Sequence, residues 1–288
     1  MGAEVGADFV IGIGGGSPLD AAKAIAAFVA NPHIAAEEIY DAERLTAPSL
    51  PIVAIPTTAG TGSEANLYSV LTLPNGQKKK TFKRQDSWPR VSFLDPKYTA
   101  SLPKGATVSC ALDAFAHALE SYFSPKSTPD SERMALWAAA KIWPILLAEP
   151  TEYTPAMRED LLYAATAAGI AISITGTGFP HPLGYSITLL DGIPHGAACA
   201  VFDGDFITYN SRLPEGAARA ASFAAAIGTD VETLVSALPR LSGVSFRFSE
   251  SEIAERVELV ASASNYVNSP YVINRDEMAE IYRAHFGA

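Results

Sequence analysis

The pattern of apolar residues changes character near residue 105, and that change limits the fold more than any single motif. Before it, short apolar runs alternate with helical pattern and turns. Ala7–Ile13 and Ile52–Ile55 read as buried parallel strands, residues 18–29 between them as a helix, and Phe93-Leu94-Asp95-Pro96 as the end of a further strand. After it, alanine-rich helical stretches take over, at 106–123, 130–148, 157–173, 214–226, 250–264 and 275–284. With 288 residues there is chain enough for two units. The order predicts an α/β domain over residues 1–104 and an all-helical domain over 105–288, joined through Ser101-Leu102-Pro103.

Charge and cysteine usage narrow the function. A formal net charge of −10 repels phosphates at long range, so nucleic-acid and anionic-membrane partners are not expected. The basic cluster Lys78-Lys79-Lys80, Lys83 and Arg84 follows the turn signal Pro74-Asn75-Gly76 and reads as a solvated hairpin face, from which Lys80 is the candidate to reach a cofactor phosphate. Cys110 and Cys199 form no C-x-x-C pair and no disulfide framework, which favours a reducing, cytoplasmic setting. No apolar run is long enough to cross a bilayer.

Two glycine-containing loops follow the predicted strands. In Gly12-Ile13-Gly14-Gly15-Gly16-Ser17-Pro18-Leu19-Asp20, consecutive glycines let backbone amides approach an anion without a Cβ in the way. Ser17 is placed to cap the next helix, with Asp20 as the acid of a capping box. The second loop, Pro56-Thr57-Thr58-Ala59-Gly60-Thr61-Gly62-Ser63-Glu64, offers hydroxyls and amides as donors. Two such loops at the carboxyl ends of strands predict a nucleotide crevice, with Gly14, Gly15, Gly16, Ser17, Asp20, Thr57, Thr58, Gly60, Thr61 and Ser63 as cofactor-binding candidates.

Three of the five histidines, with one aspartate, have the spacing of a metal site: Asp113-x-x-x-His117, then His181, then His195. On a helix, residues four apart project from one face and can share an ion. Imidazole and carboxylate donors without thiolate suit Zn2+ or Fe2+ in a catalytic role. Taken alone, the Asp113–His117 pair also fits a hydrogen-bonded surface pair. Cys110 reads as a small core residue, and His33 and His285 as solvated. Asp203 and Asp205 around Gly204 read as a helix interruption. Phe115, Phe179 and Leu183 read as an apolar substrate wall.

Taken in order, Gly14-Gly15-Gly16-Ser17-x-x-Asp20-x-x-Lys23, the Pro56–Glu64 loop, Asp113-Ala-Phe-Ala-His117-Ala-Leu-Glu120, and His181-Pro-Leu-Gly184-Tyr185 with Gly192-Ile-Pro-His195-Gly196 resemble the iron-dependent (group III, metal-dependent) alcohol dehydrogenase family. The resemblance implies a nucleotide-binding α/β domain followed by an all-α metal-binding domain, an architecture shared with dehydroquinate synthase. It implies NAD or NADP with Fe2+ or Zn2+, and reversible oxidation of a small primary or secondary alcohol to an aldehyde or ketone. Two departures stand out. Many members carry a further histidine where this chain has Tyr185, which is assigned to the site wall or a proton path, ordinary packing being the alternative. Sliding the alignment so that His181 becomes that histidine would put Thr177 in a ligand position, so His181 is kept as a ligand. Family members also begin with several elements before the glycine-rich strand; here the expectation is an incomplete nucleotide domain with its first strands missing, and a homodimer if that part is present. A sugar-phosphate cyclase and an inactive remnant are the alternatives.

Overall fold

The computed structural model describes residues 2, 4–72 and 79–287. The Pro74-Asn75-Gly76 turn and Lys78 lie outside the described residues. A three-stranded parallel sheet, in the order β1 (Val10–Gly14), β2 (Ile52–Pro56) and β5 (Val91–Ser92), pairs Val10 with Ile52 and Val53 with Val91. Helix α1 (Gly16–Ala30) covers one face through Leu19 and Ala22, which sit so close to Gly12 that a Cβ there would lie 2.8 Å from that of Ala22. The other face carries Phe9, Ile11, Ile13, Val91 and Phe93, all exposed. An antiparallel ribbon, β3 (Tyr68–Thr72) and β4 (Lys79–Lys83), pairs Tyr68 with Lys83. A small core of Ala24, Ala27, Ile39, Leu45 and Phe82 ties it to α1.

From Lys104 onward the chain is helical: α2 (Lys104–Phe123), α3 (Pro129–Ala148), α4 (Pro155–Thr175), α5 (Pro180–Asp191), α6 (His195–Asn210), α7 (Pro214–Ala226), α8 (Val231–Ser242), α9 (Glu250–Val260) and α10 (Arg275–Phe286). Several starts follow from side-chain caps. Thr128 and Thr154 accept from Ser131 N and Met157 N, each with a proline at the first turn, and Ser249 and Asn274 form capping boxes with Glu252 and Glu277. Helix α2 is buried without a break from Ala111 to Phe123 and forms the axis of the large core. Among the described residues no single helix is long and apolar enough to cross a membrane.

Six expectations need correction. Helices α5, α6 and α8 lie where no helix is predicted, and residues 203–205 belong to the unbroken α6, because Gly204 is a packing point: a Cβ there would lie 2.7 Å from the Val235 carbonyl of α8. His285 is not free; its Nε2 lies 2.6 Å from Asp205 Oδ2. Ser17 does not cap α1, whose N-cap is Gly15 without a side-chain bond. Asp20 closes no capping box; it accepts instead from Ser63 Oγ (2.6 Å) and Val70 N (2.8 Å). Phe115, Phe179 and Leu183 line no cavity but are sealed in the aromatic core, Phe115 against Trp143 and Phe179 against Phe206.

Candidate metal centre and cofactor cleft

Burying α2 carries Asp113, His117 and Glu120 into the interior, where a carboxylate or imidazole is costly unless it meets a partner. The first turns of α5 and α6 bring His181 and His195 to the same point. Asp113 Oδ1 then lies 3.7 Å from Nε2 of His117 and 3.8 Å from Nε2 of both His181 and His195. Four tetrahedral ligands held about 2.1 Å from one ion stand about 3.4 Å apart, so the three spacings from Asp113 exceed those of a zinc or ferrous iron site by only a few tenths of an ångström. Asp113 Oδ1 and His181 Nε2 are buried and bond to no protein atom, as donors aimed at an ion would be. The His195 side chain is 25% exposed against 5% for Asp113, so the group is open on one side.

Electrostatics suit the same purpose. Burial pushes His181 down to about 4 and His195 to about 3, leaving neutral imidazoles with free lone pairs at neutral pH. Burial opposes ionisation of Asp113, but the three imidazoles together hold its carboxyl below the ordinary value. Glu120, three residues beyond His117, places Oε1 2.6 Å from His181 Nδ1 and accepts from Gly178 N through Oε2 at 2.5 Å. It thereby fixes the ring with Nε2 toward Asp113, the arrangement in which a carboxylate behind a histidine orients a metal ligand. Burial pushes Glu120 up to about 8.

Cys199, one turn after His195, also comes near: Asp113, His181, His195 and Cys199 each offer an atom within 4.8 Å of the others. Its Sγ is 3.7 Å from both ring nitrogens of His195, against the ring rather than in line with a lone pair. Burial pushes its thiol well above the usual range; with His117 Nε2 3.7 Å from Asp113 Oδ1 and the Cys199 sulfur turned against the His195 ring, geometry makes His117 the better fourth donor. Cys110 packs against Gly60, its thiol pushed up to about 12 by burial. Tyr185 stacks on His195 (centroids 5.3 Å apart, planes at 18°), and burial raises its phenol, which stays protonated.

A cavity of about 1080 Å³ runs from the glycine loops past the metal-site residues into the helical region. Gly16, Ser17, Asp20, Thr61 and Ser63 border it. Gly14, Gly15, Thr57, Thr58 and Gly60 stand behind it and lock the loops together: Thr57 N donates to Gly14 O at 2.9 Å, and a Cβ on Gly15 would lie 3.1 Å from Thr58 Oγ1. Ser63 and Asp20 are engaged with Lys23, whose buried Nζ donates to Ser63 Oγ (2.7 Å), Asn66 Oδ1 (3.1 Å) and Tyr68 O (2.6 Å). Lys80, the lysine singled out above, sets its Nζ 4.0 Å from the Tyr40 ring centroid. Its neighbour Lys79 faces the cleft, 5.5 Å from the Tyr185 centroid. Sequence reasoning passed over Lys79 because strand alternation cannot be phased without knowing the pairing; Glu120 and Cys199 had only their helical spacing from a ligand to mark them.

Comparison with known proteins agrees with this geometry. Residues 1–96 match the family model of iron-containing alcohol dehydrogenase, and residues 107–286 that of the C-terminal domain of the Fe-containing alcohol dehydrogenase family. The chain is 38% identical to the probable alcohol dehydrogenase EutG of Escherichia coli over 199 residues, 69% of this chain and 50% of that protein; it thus spans about half the length of that relative. The crystal structure of an iron-containing alcohol dehydrogenase from Thermotoga maritima superposes with a TM-score of 0.84 at 33% identity, covering 96% of this chain and 75% of that one. That of sulfoacetaldehyde reductase from Bifidobacterium kashiwanohense, solved with NAD+, gives 0.87 at 29% identity, covering 98% and 78%. Both halves match in order and the fold agrees, so the chain belongs to the iron-containing alcohol dehydrogenase family.

Proposed function

We propose that this chain interconverts a small alcohol and its aldehyde or ketone, passing hydride to and from NAD or NADP, with Asp113, His117, His181 and His195 holding one Fe2+ or Zn2+. The observation that carries the reading is the convergence of three Nε2 atoms on one unpartnered Asp113 oxygen at the wall of a cavity shared with the glycine loops. When bound, the ion supplies Lewis acidity toward the alcohol or carbonyl oxygen. Three neutral imidazoles and one carboxylate leave a net positive charge on a divalent ion, and the open side at His195 faces the cavity. Glu120 holds His181 in place, and Tyr185 fixes the His195 ring by stacking and closes the wall beside it. Its protonated hydroxyl is fitted to pass a hydrogen bond but not to act as a base.

Gly16, Ser17 and Thr61 border the space for the cofactor, with Gly14, Gly15, Thr57, Thr58 and Gly60 shaping it, Ser63 and Asp20 bracing it, and Lys80 at its edge. The NAD+ complex of the related sulfoacetaldehyde reductase supports a nicotinamide ligand. The relatives are dehydrogenases and a reductase, which disfavours the sugar-phosphate cyclase. The test is cofactor reduction at 340 nm by the full chain loaded with iron or zinc and given 1-propanol, beside His195→Ala. We expect turnover in the parent, and in the variant at least a tenfold loss of bound metal with a thousandfold loss of rate. Unchanged metal content in His195→Ala would remove the ligand assignment.

A further inference from the structure

The cavity has a second charged end that the metal centre and glycine loops do not use. Lys79, Lys80 and Lys83 on its border all come from β4, on the side of the glycine loops. Lys126 borders it from the helical side, on the segment between α2 and α3. Its Nζ donates to Asn268 Oδ1 at 2.7 Å, and no carboxylate pairs with it among the described residues, whereas Lys141 is paired with Asp160 at 3.0 Å. Asn268 is itself locked: it is 9% exposed, and its Nδ2 donates to the Thr177 carbonyl at 2.9 Å. Asn265 Nδ2 donates to Thr177 Oγ1 at 2.6 Å. Gly176, at φ +70, makes room, since a Cβ there would lie 2.7 Å from Asn268 Nδ2. An ammonium has three N–H donors, and this frame occupies one, leaving two for a ligand.

The surrounding charges favour an anion. The carboxylates bordering the cavity are Asp20, bonded to Ser63 and Val70, and Asp113, ringed by imidazoles. In a chain of net charge −10, this cleft is bordered by four lysines, a local field that draws anions in. We propose that Lys126, framed by Asn268, Asn265 and Thr177, is the binding site for a terminal oxyanion of the substrate. The preferred substrate then carries its alcohol or aldehyde at one end and a carboxylate or sulfonate at the other. His117 stands six residues before the end of α2 at Phe123, about 9 Å of axial rise, and Lys126 follows three residues later, so a substrate that reaches both has its two ends joined by several carbons. This rests on the dehydrogenase reading of the metal site, and the experiment separates the two.

The full chain, metal-loaded, is assayed with 5-oxopentanoate, 4-oxobutane-1-sulfonate and neutral pentanal, as parent, Lys126→Met and Lys126→Arg. We expect the kcat/KM ratio of either anion to pentanal to fall at least tenfold in Lys126→Met, mainly through KM, and to be largely kept in Lys126→Arg. The anion with the larger fall identifies the headgroup. A ratio that moves less than twofold overturns the subsite while leaving the dehydrogenase reading intact. Calorimetry of 5-hydroxypentanoate against 1-pentanol decides without turnover. Stronger binding of the anion to the parent, lost in Lys126→Met, upholds the subsite even if no aldehyde is reduced; equal binding of both ligands to both proteins removes it.

Discussion

Glu120 and Asp203 are both carboxyls with no solvent exposure, and they have different fates. Glu120 has a partner for each oxygen, in His181 and the Gly178 amide. Asp203 has none for either, and burial, reinforced by Glu120 and Asp113, pushes its pKa well above the ordinary value. Its folded form therefore keeps a proton that the unfolded chain loses above about pH 4. The sign follows: whatever this group contributes is present in acid and is lost as pH rises toward its folded value. Asp203→Leu is expected to raise stability at pH 8 by about 1–3 kcal/mol and to flatten the pH dependence between 5 and 8, read from urea midpoints. A lower midpoint at pH 8 would contradict it. The four proposed metal ligands stood out in the sequence because imidazole is rare in this chain and two of the group sit one helical turn apart. Glu120 and Lys79 did not, because their importance lies in what faces them.

At the scale of elements, glycine does the opposite of what local propensity suggests. Gly184 and Gly196 lie inside α5 and α6, two helices the sequence pattern did not predict, and these glycines are where helices touch. A Cβ on Gly184 would lie 3.0 Å from Cys199 N, and one on Gly196 would lie 1.9 Å from the Ser109 carbonyl and 2.7 Å from Asp113 Cβ. Gly196→Ala must push α6 off α2 at the point where His195 meets Asp113. We expect a loss of about 1–3 kcal/mol and a metal content below a tenth of the parent's, measured by thermal melting and elemental analysis. Retention of full metal would show that the contact can relax. A cap such as Thr128-Pro129 or Ser249-x-x-Glu252 acts within one turn, whereas a glycine needed for another helix more than 80 residues away leaves no local mark.

Across the whole molecule, the two faces of the parallel sheet differ. One lies under α1, and the other exposes Ile11 at 50%, Ile13 at 61% and Phe93 at 55%. Parallel sheets are ordinarily covered on both faces, and an apolar face of this kind promotes association. Sedimentation velocity is expected to show concentration-dependent association of the chain that falls in an Ile11→Lys/Ile13→Lys variant; identical profiles would mean that this face takes no part. The sequence alone determined the order of strand-bearing and helical segments, the glycine loops and the four residues proposed as metal ligands, because periodicity, turn chemistry and i,i+4 spacing are local properties. Only the tertiary structure decided that Glu120 stands behind His181, that Lys79 turns its ammonium toward Tyr185 while Lys80 turns its own toward Tyr40, and that Lys126 is held at the far end of the cleft. Those facts depend on which distant segments the buried α2 brings together, and no local pattern along the chain encodes that.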